Sequence, residues 1–463
     1  MKEILYGFNL LFLAYFLLIN GFYILLMILA ARVVRRYRNV AAMTEYEGIF
    51  ETTFYKPVTV LVPAHNEEAT IVHTVLSALA VRYPELEVVV INDGSADSTM
   101  DVLIDSFDLI PSTSTVSQEL PCKPIRGVYE SPTYPGLLVV DKEQGGKADA
   151  LNAGINASSF PLVCNIDADS MIDMRAMVQI TRPFLEDHRV VAIGGVVVPA
   201  NDCDIERGDV KQMRLARNDL ARFQTVEYLR AFLFGRIGWS GLSSLMIISG
   251  AFAVFRREAL IEVGGYRTDT VGEDMELVLR MHRMYSDKKK DYRVIFLPDP
   301  ICYTQLPEDI RSLAKQRRRW QRGLAESLSK NWKLCCNPKY GRVGMIGYPF
   351  FALFELLSPV VEVSGYLIVV VAILMDAVNW EVGLAILACA TLLGTITSVS
   401  ALLLEARTFN RYSRLRDTLI LVGYAVLECF GYRQLHALWR FRGVVDHVMR
   451  KGSSWGQPAR KAF

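Results

Sequence analysis

Residues 165–170 read Asn-Ile-Asp-Ala-Asp-Ser and directly follow the apolar run 161–164. An uninterrupted apolar run of this kind predicts a strand that is buried on both faces. Alternate residues of a strand point the same way, so Asp167 and Asp169 can converge on one divalent cation where the strand opens into a loop. Asp-x-Asp also occurs in ordinary solvated loops. The motifs in the rest of the chain distinguish a cation site from such a loop.

The composition of the 463-residue chain leaves room for two or three domains, each with its own core. Apolar residues make up 51% and charged residues 22%, which excludes both a disordered chain and one that is embedded wholly in a membrane. The net charge of +2 excludes a strong overall attraction to nucleic acid, so no nucleic-acid partner is expected.

Strand and helix patterns alternate from residue 57 onward, which predicts a parallel, doubly wound α/β sheet. The predicted strands are residues 58–62, 87–92, 137–141, 161–164 and 190–198. Ligands of such sheets bind beyond the carboxyl ends of the strands, where Asp93 and Asp167 both fall. We expect residues 106–136 to be a surface insertion and residues 201–234 to be mainly helical.

Three further stretches carry candidate ligand-binding groups. Gly145-Gly146-Lys147 opens a helix, where paired glycines allow close approach and a lysine can meet phosphate beside the helix dipole. Glu273 and Asp274 open another helix, although carboxylates at that position also have the simpler explanation of favouring the macrodipole. Ser249-Gly250-Ala251 would let a ligand lie against the backbone.

The ends of the chain have membrane character. Residues 4–31 form an apolar run that is longer than the roughly 20 residues needed to cross a bilayer. Arginines follow it, so the N-terminus is expected outside and the next domain in the cytoplasm. Two more spans are predicted within residues 348–375 and 383–404. Residues 418–430 are short for a crossing and are predicted to be re-entrant or interfacial, with a fourth crossing as the alternative.

Residues 310–328 predict an amphipathic helix that carries five basic residues between positions 315 and 322. Such a helix can lie on a membrane surface, or its arginines can bind a pyrophosphate. Both roles remain open at this point. The pattern divides the chain into an N-terminal transmembrane helix (1–38), a cytoplasmic domain (39–308), an amphipathic interfacial region (309–345), and C-terminal transmembrane or interfacial helices with a basic tail (346–463).

Taken in chain order, the motifs are Asp93-Gly94-Ser95, Gly145-Gly146-Lys147, Asp167-Ala168-Asp169, Gly272-Glu273-Asp274 and Gln316-x-x-Arg319-Trp320. The series resembles the processive membrane glycosyltransferases of family 2, which include cellulose, chitin, hyaluronan and poly-N-acetylglucosamine synthases. The resemblance covers roughly residues 57–323 and the flanking membrane pattern. It implies a GT-A domain, a Rossmann-like nucleotide-sugar fold, inserted between transmembrane helices of a multi-pass cell-membrane protein.

The resemblance also implies a role for each motif residue. The base and ribose of the donor would meet Pro63, Glu67 and Asp93. The diphosphate would meet Lys147, Asp167 and Asp169, with Asp169 as the direct ligand of Mg²⁺ or Mn²⁺ and Asp167 beside it. Asp274 would be the general base. The acceptor sugar and the pyrophosphate would meet Glu273, Gln316, Arg319 and Trp320.

The resemblance therefore implies inverting transfer from a UDP-sugar to a growing β-linked polysaccharide. A single transfer to a lipid-linked acceptor is the alternative, and a non-catalytic nucleotide-binding scaffold is a third interpretation. Gly272 departs from the threonine found here in the best-known cellulose synthases. Three spans and one interfacial helix are too few to enclose a polysaccharide channel within one chain, so a homo-oligomer or an accessory secretion partner is expected, unless no polymer is translocated.

Overall fold

A strand with five buried residues, Leu162–Ile166, leads into the two aspartates of the Asp-x-Asp stretch. Its neighbour, Val58–Ala64, is likewise buried throughout, as the apolar sequence of both segments predicts. The computed structural model describes residues 2–41, 55–206, 209–375, 380–412 and 414–450.

The strands are β1 (Val58–Ala64), β2 (Leu86–Asp93), β3 (Ile110–Pro111), β4 (Ile125–Glu130), β5 (Leu137–Lys142), β6 (Leu162–Ile166), β7 (Ser170–Ile172), β8 (Val190–Pro199), β9 (Asp204–Glu206), β10 (Asp209–Gln212), β11 (Phe252–Arg256) and β12 (Arg293–Thr304). The helices are α1 (Lys2–Ala41), α2 (Ile71–Leu79), α3 (Thr99–Phe107), α4 (Lys147–Ala157), α5 (Ala176–Glu186), α6 (Asp219–Leu229), α7 (Ile237–Gly241), α8 (Arg257–Glu262), α9 (Glu273–Asp287), α10 (Ile310–Lys330), α11 (Tyr348–Phe350), α12 (Ser358–Leu374), α13 (Trp380–Thr408), α14 (Leu415–Leu427) and α15 (Tyr432–Val448).

Ten strands of the described residues form one sheet, in the order β3-β4-β5-β2-β1-β6-β11-β8-β12-β7. The neighbours β5, β2, β1 and β6 are all parallel, as predicted. The prediction of a wholly parallel sheet is wrong beyond β6, because β11 lies between β6 and β8 and runs antiparallel to both. Helices α6 and α7 precede β11 in the chain. After them the chain enters the sheet at the edge where β6 and β8 end, so β11 runs in the opposite direction.

Two of the predicted irregular or helical regions contain strands. Residues 106–136 are not only a surface insertion, because β4 pairs antiparallel with β5 and β3 pairs antiparallel with β4, which extends the edge of the sheet. The side chains of β4 are exposed or half-buried, so this strand lacks the apolar run that marks a buried one. Residues 201–234 begin with the hairpin β9–β10, and helix starts only at Asp219. A π-helical segment, Arg230–Arg236, then joins α6 to α7.

Three helices in the described parts of the chain are long and apolar enough to cross a membrane: Leu11–Asn39, Val343–Leu374 and Gly383–Thr408. They correspond to the three predicted spans. The second span is irregular, with π-helical turns on both sides of α11. Pro359 lies in the first turn of α12. Backbone N–H groups in a first turn have no partner within the helix, so a proline costs no helical hydrogen bond there. Helices α14 and α15 are not among the three, and an interfacial position for α14 stays a prediction.

Helix α10 is the amphipathic helix expected from residues 310–328. It packs along α15, where the Nη2 of Arg318 donates to Asp446 at 2.7 Å and Gly443 lies against the backbone of α10. One face of the helix therefore contacts protein, while Gln316 and Trp320 line a cavity.

Candidate active site

Lys147, the first residue of α4, connects three parts of the site. Its Nζ lies 2.5 Å from Oδ1 of Asp167, at the end of β6, and 3.7 Å from Oε1 of Glu273, at the start of α9. It also donates to the carbonyl oxygen of Gly250 at 3.2 Å. One ammonium group thus joins the glycine loop, the Asp-x-Asp turn and the loop before β11.

Burial and charge act in opposite directions on this lysine. Burial lowers the pKa of Lys147, but the nearby carboxylates of Asp167 and Glu273 outweigh it, so the pKa lies above its ordinary value. Burial raises the pKa of Glu273; Lys147 opposes this shift and Asp274 adds to it. The site is therefore an enclosed, charged environment in which the lysine stays protonated.

Asp93 holds the glycine loop in place. Its carboxylate is fully buried and accepts hydrogen bonds from the Nζ of Lys142 at 2.6 Å and from the backbone N–H groups of Gly145 and Gly146 at 2.9 and 2.7 Å. Gly146 has φ +91°, a conformation that side-chain-bearing residues rarely adopt. The loop conformation therefore depends on both the glycine and the aspartate, while the expected contact of Asp93 with a base stays a prediction.

Pro63 and Glu67 lie at the carboxyl end of β1 and in the turn after it, and both are buried. The Oε2 of Glu67 accepts a hydrogen bond from the Thr70 hydroxyl at 2.8 Å, and its backbone N–H donates to Thr99 at 2.8 Å. These contacts join the turn after β1 to α3.

Asp274 lies beside the small residues that precede β11. Its Oδ1 accepts from the backbone N–H of Met275 at 2.8 Å, and its Oδ2 is 3.2 Å from the point where a Cβ on Gly250 would lie. The absence of a side chain at Gly250 thus makes room for the Asp274 carboxylate. The expected ligand contact along Ser249-Gly250-Ala251 stays a prediction.

A cavity of about 400 Å³ brings together most of the predicted site residues. Eight of the eleven line it: Lys147, Asp167, Asp169, Glu273, Asp274, Gln316, Arg319 and Trp320. Pro63, Glu67 and Asp93 are not part of its lining. The residues expected to bind the diphosphate and the acceptor thus share one cavity with the expected general base. The residues expected to bind the nucleobase and ribose lie outside it.

Asp167 and Asp169 fit a cation that takes only two ligands from the protein and the rest from water or substrate. No group of three or more His, Cys, Asp or Glu side chains that could hold a metal occurs in the part of the chain that the structure describes. Two carboxylates suit Mg²⁺ or Mn²⁺, which commonly retain water and bind substrate phosphates, better than a structural zinc ion.

Sequence reasoning missed several residues of the cavity wall. Glu227, Arg236 and Arg317 line it from α6, the π-helical segment and α10, while His436 and Arg440 line it from α15. Arg317 was visible only as one basic residue of a cluster, and no spacing signal connects positions 227, 317 and 436. They meet only because α6, α10 and α15 pack around the same space.

Arg236 is a cation in the cavity wall that has no ion pair within the described residues. Its Nε is buried without a hydrogen-bond partner there, and its guanidinium lies 4.2 Å from the centre of the Phe232 ring. Burial lowers the pKa of Arg236 to about 10, which still leaves it charged at neutral pH. Such a group favours an anionic ligand nearby.

Comparison with known proteins identifies the family. The family described as "Glycosyl transferase family group 2" matches residues 162–404, more than half of the chain, and "Glycosyl transferase family 2" matches residues 59–119. The chain belongs to this family. It is therefore a glycosyltransferase, and the resemblance to family 2 that the motifs indicated is confirmed.

Two curated relatives of this glycosyltransferase carry the same description. The poly-beta-1,6-N-acetyl-D-glucosamine synthase of Staphylococcus epidermidis is 29% identical over 276 residues, 59% of this chain and 56% of that protein. The enzyme of the same description from Staphylococcus aureus (strain COL) is 29% identical over 278 residues, again 59% and 56%. The match thus spans little more than half the length of each relative.

A solved structure supports the fold assignment. The mannosyltransferase PcManGT from Pyrobaculum calidifontis, in complex with GDP-Man and Mn²⁺, superimposes with a TM-score of 0.52 at 20% identity. The match covers 92% of the glycosyltransferase described here and 100% of the other chain. The expected GT-A fold is confirmed: a mixed sheet forms the domain, and helices long and apolar enough to cross a membrane precede and follow it in the chain.

Proposed function

We propose that this glycosyltransferase transfers N-acetylglucosamine from UDP-N-acetylglucosamine to a growing β-linked polysaccharide, with Mg²⁺ or Mn²⁺ as cofactor. The convergence of Lys147, Asp169, Asp274 and Trp320 on one cavity carries the proposal. The choice of sugar rests on the description of the relatives.

Asp274 acts as the general base in this proposal. Its carboxylate lines the cavity and forms no ion pair with a lysine or arginine within the described residues. It can therefore accept a proton from an acceptor hydroxyl. A single displacement at the anomeric carbon needs only one such base and inverts the configuration. An α-linked donor then yields a β-linkage.

The leaving nucleoside diphosphate gains negative charge as the sugar departs, and cationic side chains offset it. Lys147, Arg319 and Arg236 all line the cavity and are available for this role. A divalent cation at Asp167 and Asp169 would neutralise further charge on the diphosphate. The Nζ of Lys147 lies 2.5 Å from Oδ1 of Asp167, so in this proposal the lysine and the cation would contact the diphosphate side by side.

The acceptor side of the cavity is formed by Gln316 and Trp320 of α10. The Trp320 side chain is 43% exposed and lines the cavity, which leaves aromatic surface available for a sugar ring. Repeated transfer requires the product to stay bound as the next acceptor. Residues Phe351 and Glu355 of the second span also line the cavity, which favours a lipid-linked acceptor as the second candidate.

The membrane arrangement is part of the proposal. Three candidate spans and the arginines after the first of them favour a multi-pass protein of the cell membrane with its catalytic domain in the cytoplasm. The expected homo-oligomer or accessory secretion partner remains a prediction, as do the domain boundaries near residues 38, 308 and 345.

The test is sugar transfer by the purified protein in nanodiscs with Mn²⁺ and a panel of radiolabelled donors, UDP-sugars and GDP-mannose. We expect a high-molecular-weight product from UDP-N-acetylglucosamine alone. Asp274→Asn should lower the rate by roughly 100-fold or more while donor binding is retained. Asp269→Asn is the matched control, because Asp269 lies outside the cavity and pairs with Arg267 and Lys330.

The alternatives give different products. A lipid product that carries one sugar would establish the single-transfer reaction instead. Full activity of Asp274→Asn would exclude Asp274 as the base. Donor binding without transfer to any acceptor would favour the scaffold interpretation.

A further inference from the structure

Three helices bring Glu227, Arg317 and His436 together at the wall of the cavity. The Nη2 of Arg317 donates to Oε2 of Glu227 at 2.8 Å, and the hydroxyl of Tyr432 donates to the same oxygen at 3.3 Å. The ring of His436 is 4.4 Å from that of Tyr432, between centroids. This cluster joins α6, α10 and α15.

Several polar atoms of the cluster are buried without a partner. Arg317 is 2% exposed, yet its Nε and Nη1 have no hydrogen-bond partner in the described part of the chain. The Nε2 of His436 is in the same situation. Buried donors and acceptors in folded proteins are nearly always paired, so unpaired groups on two side chains of the cavity wall favour a polar ligand at this wall.

The charge of the cluster distinguishes between possible ligands. Glu227 neutralises Arg317, and Glu355 neutralises Arg440 across a distance of 3.2 Å in the same wall. Burial lowers the pKa of His436 to about 4, so its ring is neutral at physiological pH. A phosphate would meet two carboxylates here, whereas a neutral, hydroxyl-rich ligand can donate to Glu227 and accept from Arg317.

The position of the cluster indicates which hydroxyl-rich group it would meet. The Arg317 guanidinium lies 4.3 Å from the centre of the Trp320 ring, so the cluster adjoins the expected acceptor position. We propose that Glu227, Arg317 and His436 form a subsite for a second, neutral sugar unit of the acceptor, next to the unit at Trp320. This inference rests on the proposed function, because it assumes a glycan acceptor.

The test measures acceptor binding by calorimetry on the full-length protein in nanodiscs, with UDP and Mn²⁺ present. The probes are N-acetylglucosamine and its β-1,6-linked disaccharide. We expect the wild type to bind the disaccharide more tightly. His436→Phe fills a similar space without Nε2 and should weaken disaccharide binding about fivefold, which corresponds to one hydrogen bond. Binding of the monosaccharide should not change.

His447→Phe is the matched control, because His447 lies on the same helix and contacts Ser329 rather than the cavity. A second variant, Glu227→Gln, keeps the shape of the side chain and should also weaken only disaccharide binding. Thermal unfolding of each variant separates a folding defect from a binding defect.

Equal binding of the two saccharides by the wild type would overturn the subsite, whether or not transfer occurs. An equal loss for both saccharides in His436→Phe would also overturn it, because the residue would then act on the whole site. Length-dependent binding without any transfer from UDP-N-acetylglucosamine would support the subsite and contradict the proposed donor alone.

Discussion

Gly272 and Gly323 bring the start of α9 into direct backbone contact with α10. A Cβ on Gly272 would lie 2.8 Å from Cα of Gly323, and one on Gly323 would lie 2.9 Å from Cα of Gly272. Ser327 strengthens the contact by donating to the carbonyl oxygen of Gly272 at 3.1 Å. The pair sets the distance between Asp274 and the helix that carries Trp320. A threonine side chain at position 272 would not fit this contact without a shift of one of the helices.

Gly323→Ala should therefore separate the two helices. We expect a loss of about 1–3 kcal/mol in the free energy of unfolding, as in other overpacked sites, together with a lower transfer rate. Thermal unfolding and transfer assays measure the two effects. Gly423→Ala in α14 is the control, since a Cβ there meets no atom within 4 Å. Unchanged stability of Gly323→Ala would show that the contact can relax at little cost.

Removal of divalent cations should abolish transfer without unfolding the protein. Asp167 and Asp169 supply only two carboxylates, so the folded state does not depend on a metal as a zinc finger does. With a chelator present, we expect no activity and an unchanged melting temperature, and added Mn²⁺ should restore transfer. Asp169→Asn should not regain activity with Mn²⁺, whereas the exposed Asp204→Asn should behave as wild type. Activity in the presence of chelator would contradict a metal-dependent reaction.

Buried histidines should make the protein less stable in mild acid. Burial lowers the pKa of His282 to about 4, and its ring contacts the Leu245 carbonyl and the Tyr292 hydroxyl. A folded pKa below the unfolded value of about 6.5 means that the unfolded chain binds the proton first. Stability is therefore full above pH 6.5 and falls by up to about 1.4 kcal/mol per pH unit towards pH 4. His282→Gln should reduce this slope in pH-dependent unfolding, and an unchanged slope would assign it to other groups.

Glu428 ties the π-helical segment to the C-terminal helices. Its Oε1 lies 2.5 Å from Nη1 of Arg230 and 2.5 Å from Nη2 of Arg433, and it accepts from the Ser398 hydroxyl at 2.8 Å. Glu428→Gln removes the buried carboxylate that two partly exposed arginines share and should cost about 1–3 kcal/mol of stability. Asp219→Asn removes an exposed partner of Arg222 and should cost less than about 1 kcal/mol. Similar melting temperatures for the two variants would contradict this reading of the network.

The parts of the fold that sequence predicts are those with a strong local signal. β1 and β6 are buried on both faces, so their apolar runs are unbroken and the motifs follow at their ends. The same holds for the three spans. β4 was missed because its sequence, Ile-Arg-Gly-Val-Tyr-Glu, forms a half-exposed strand near the sheet edge and has no such run.

The candidate site divides in the same way. Lys147, Asp167 and Asp274 each follow a glycine turn or a strand end that marks them locally. Glu227, Arg317 and His436 become neighbours only through the packing of α6, α10 and α15, which no local pattern encodes. Asp93, which holds the glycine loop, also pairs with Lys142, 49 positions away, and no local pattern around either residue predicts this contact.

Helix α15 has a consequence for how the enzyme is made. His436 and Arg440 form part of the cavity wall, although the carboxylates at positions 167, 169 and 274 are synthesised much earlier. Until translation has passed residue 448 and α15 has docked on α10, a nascent chain lacks this part of the wall. The wall of the active-site cavity therefore becomes complete only when nearly the whole chain has been synthesised.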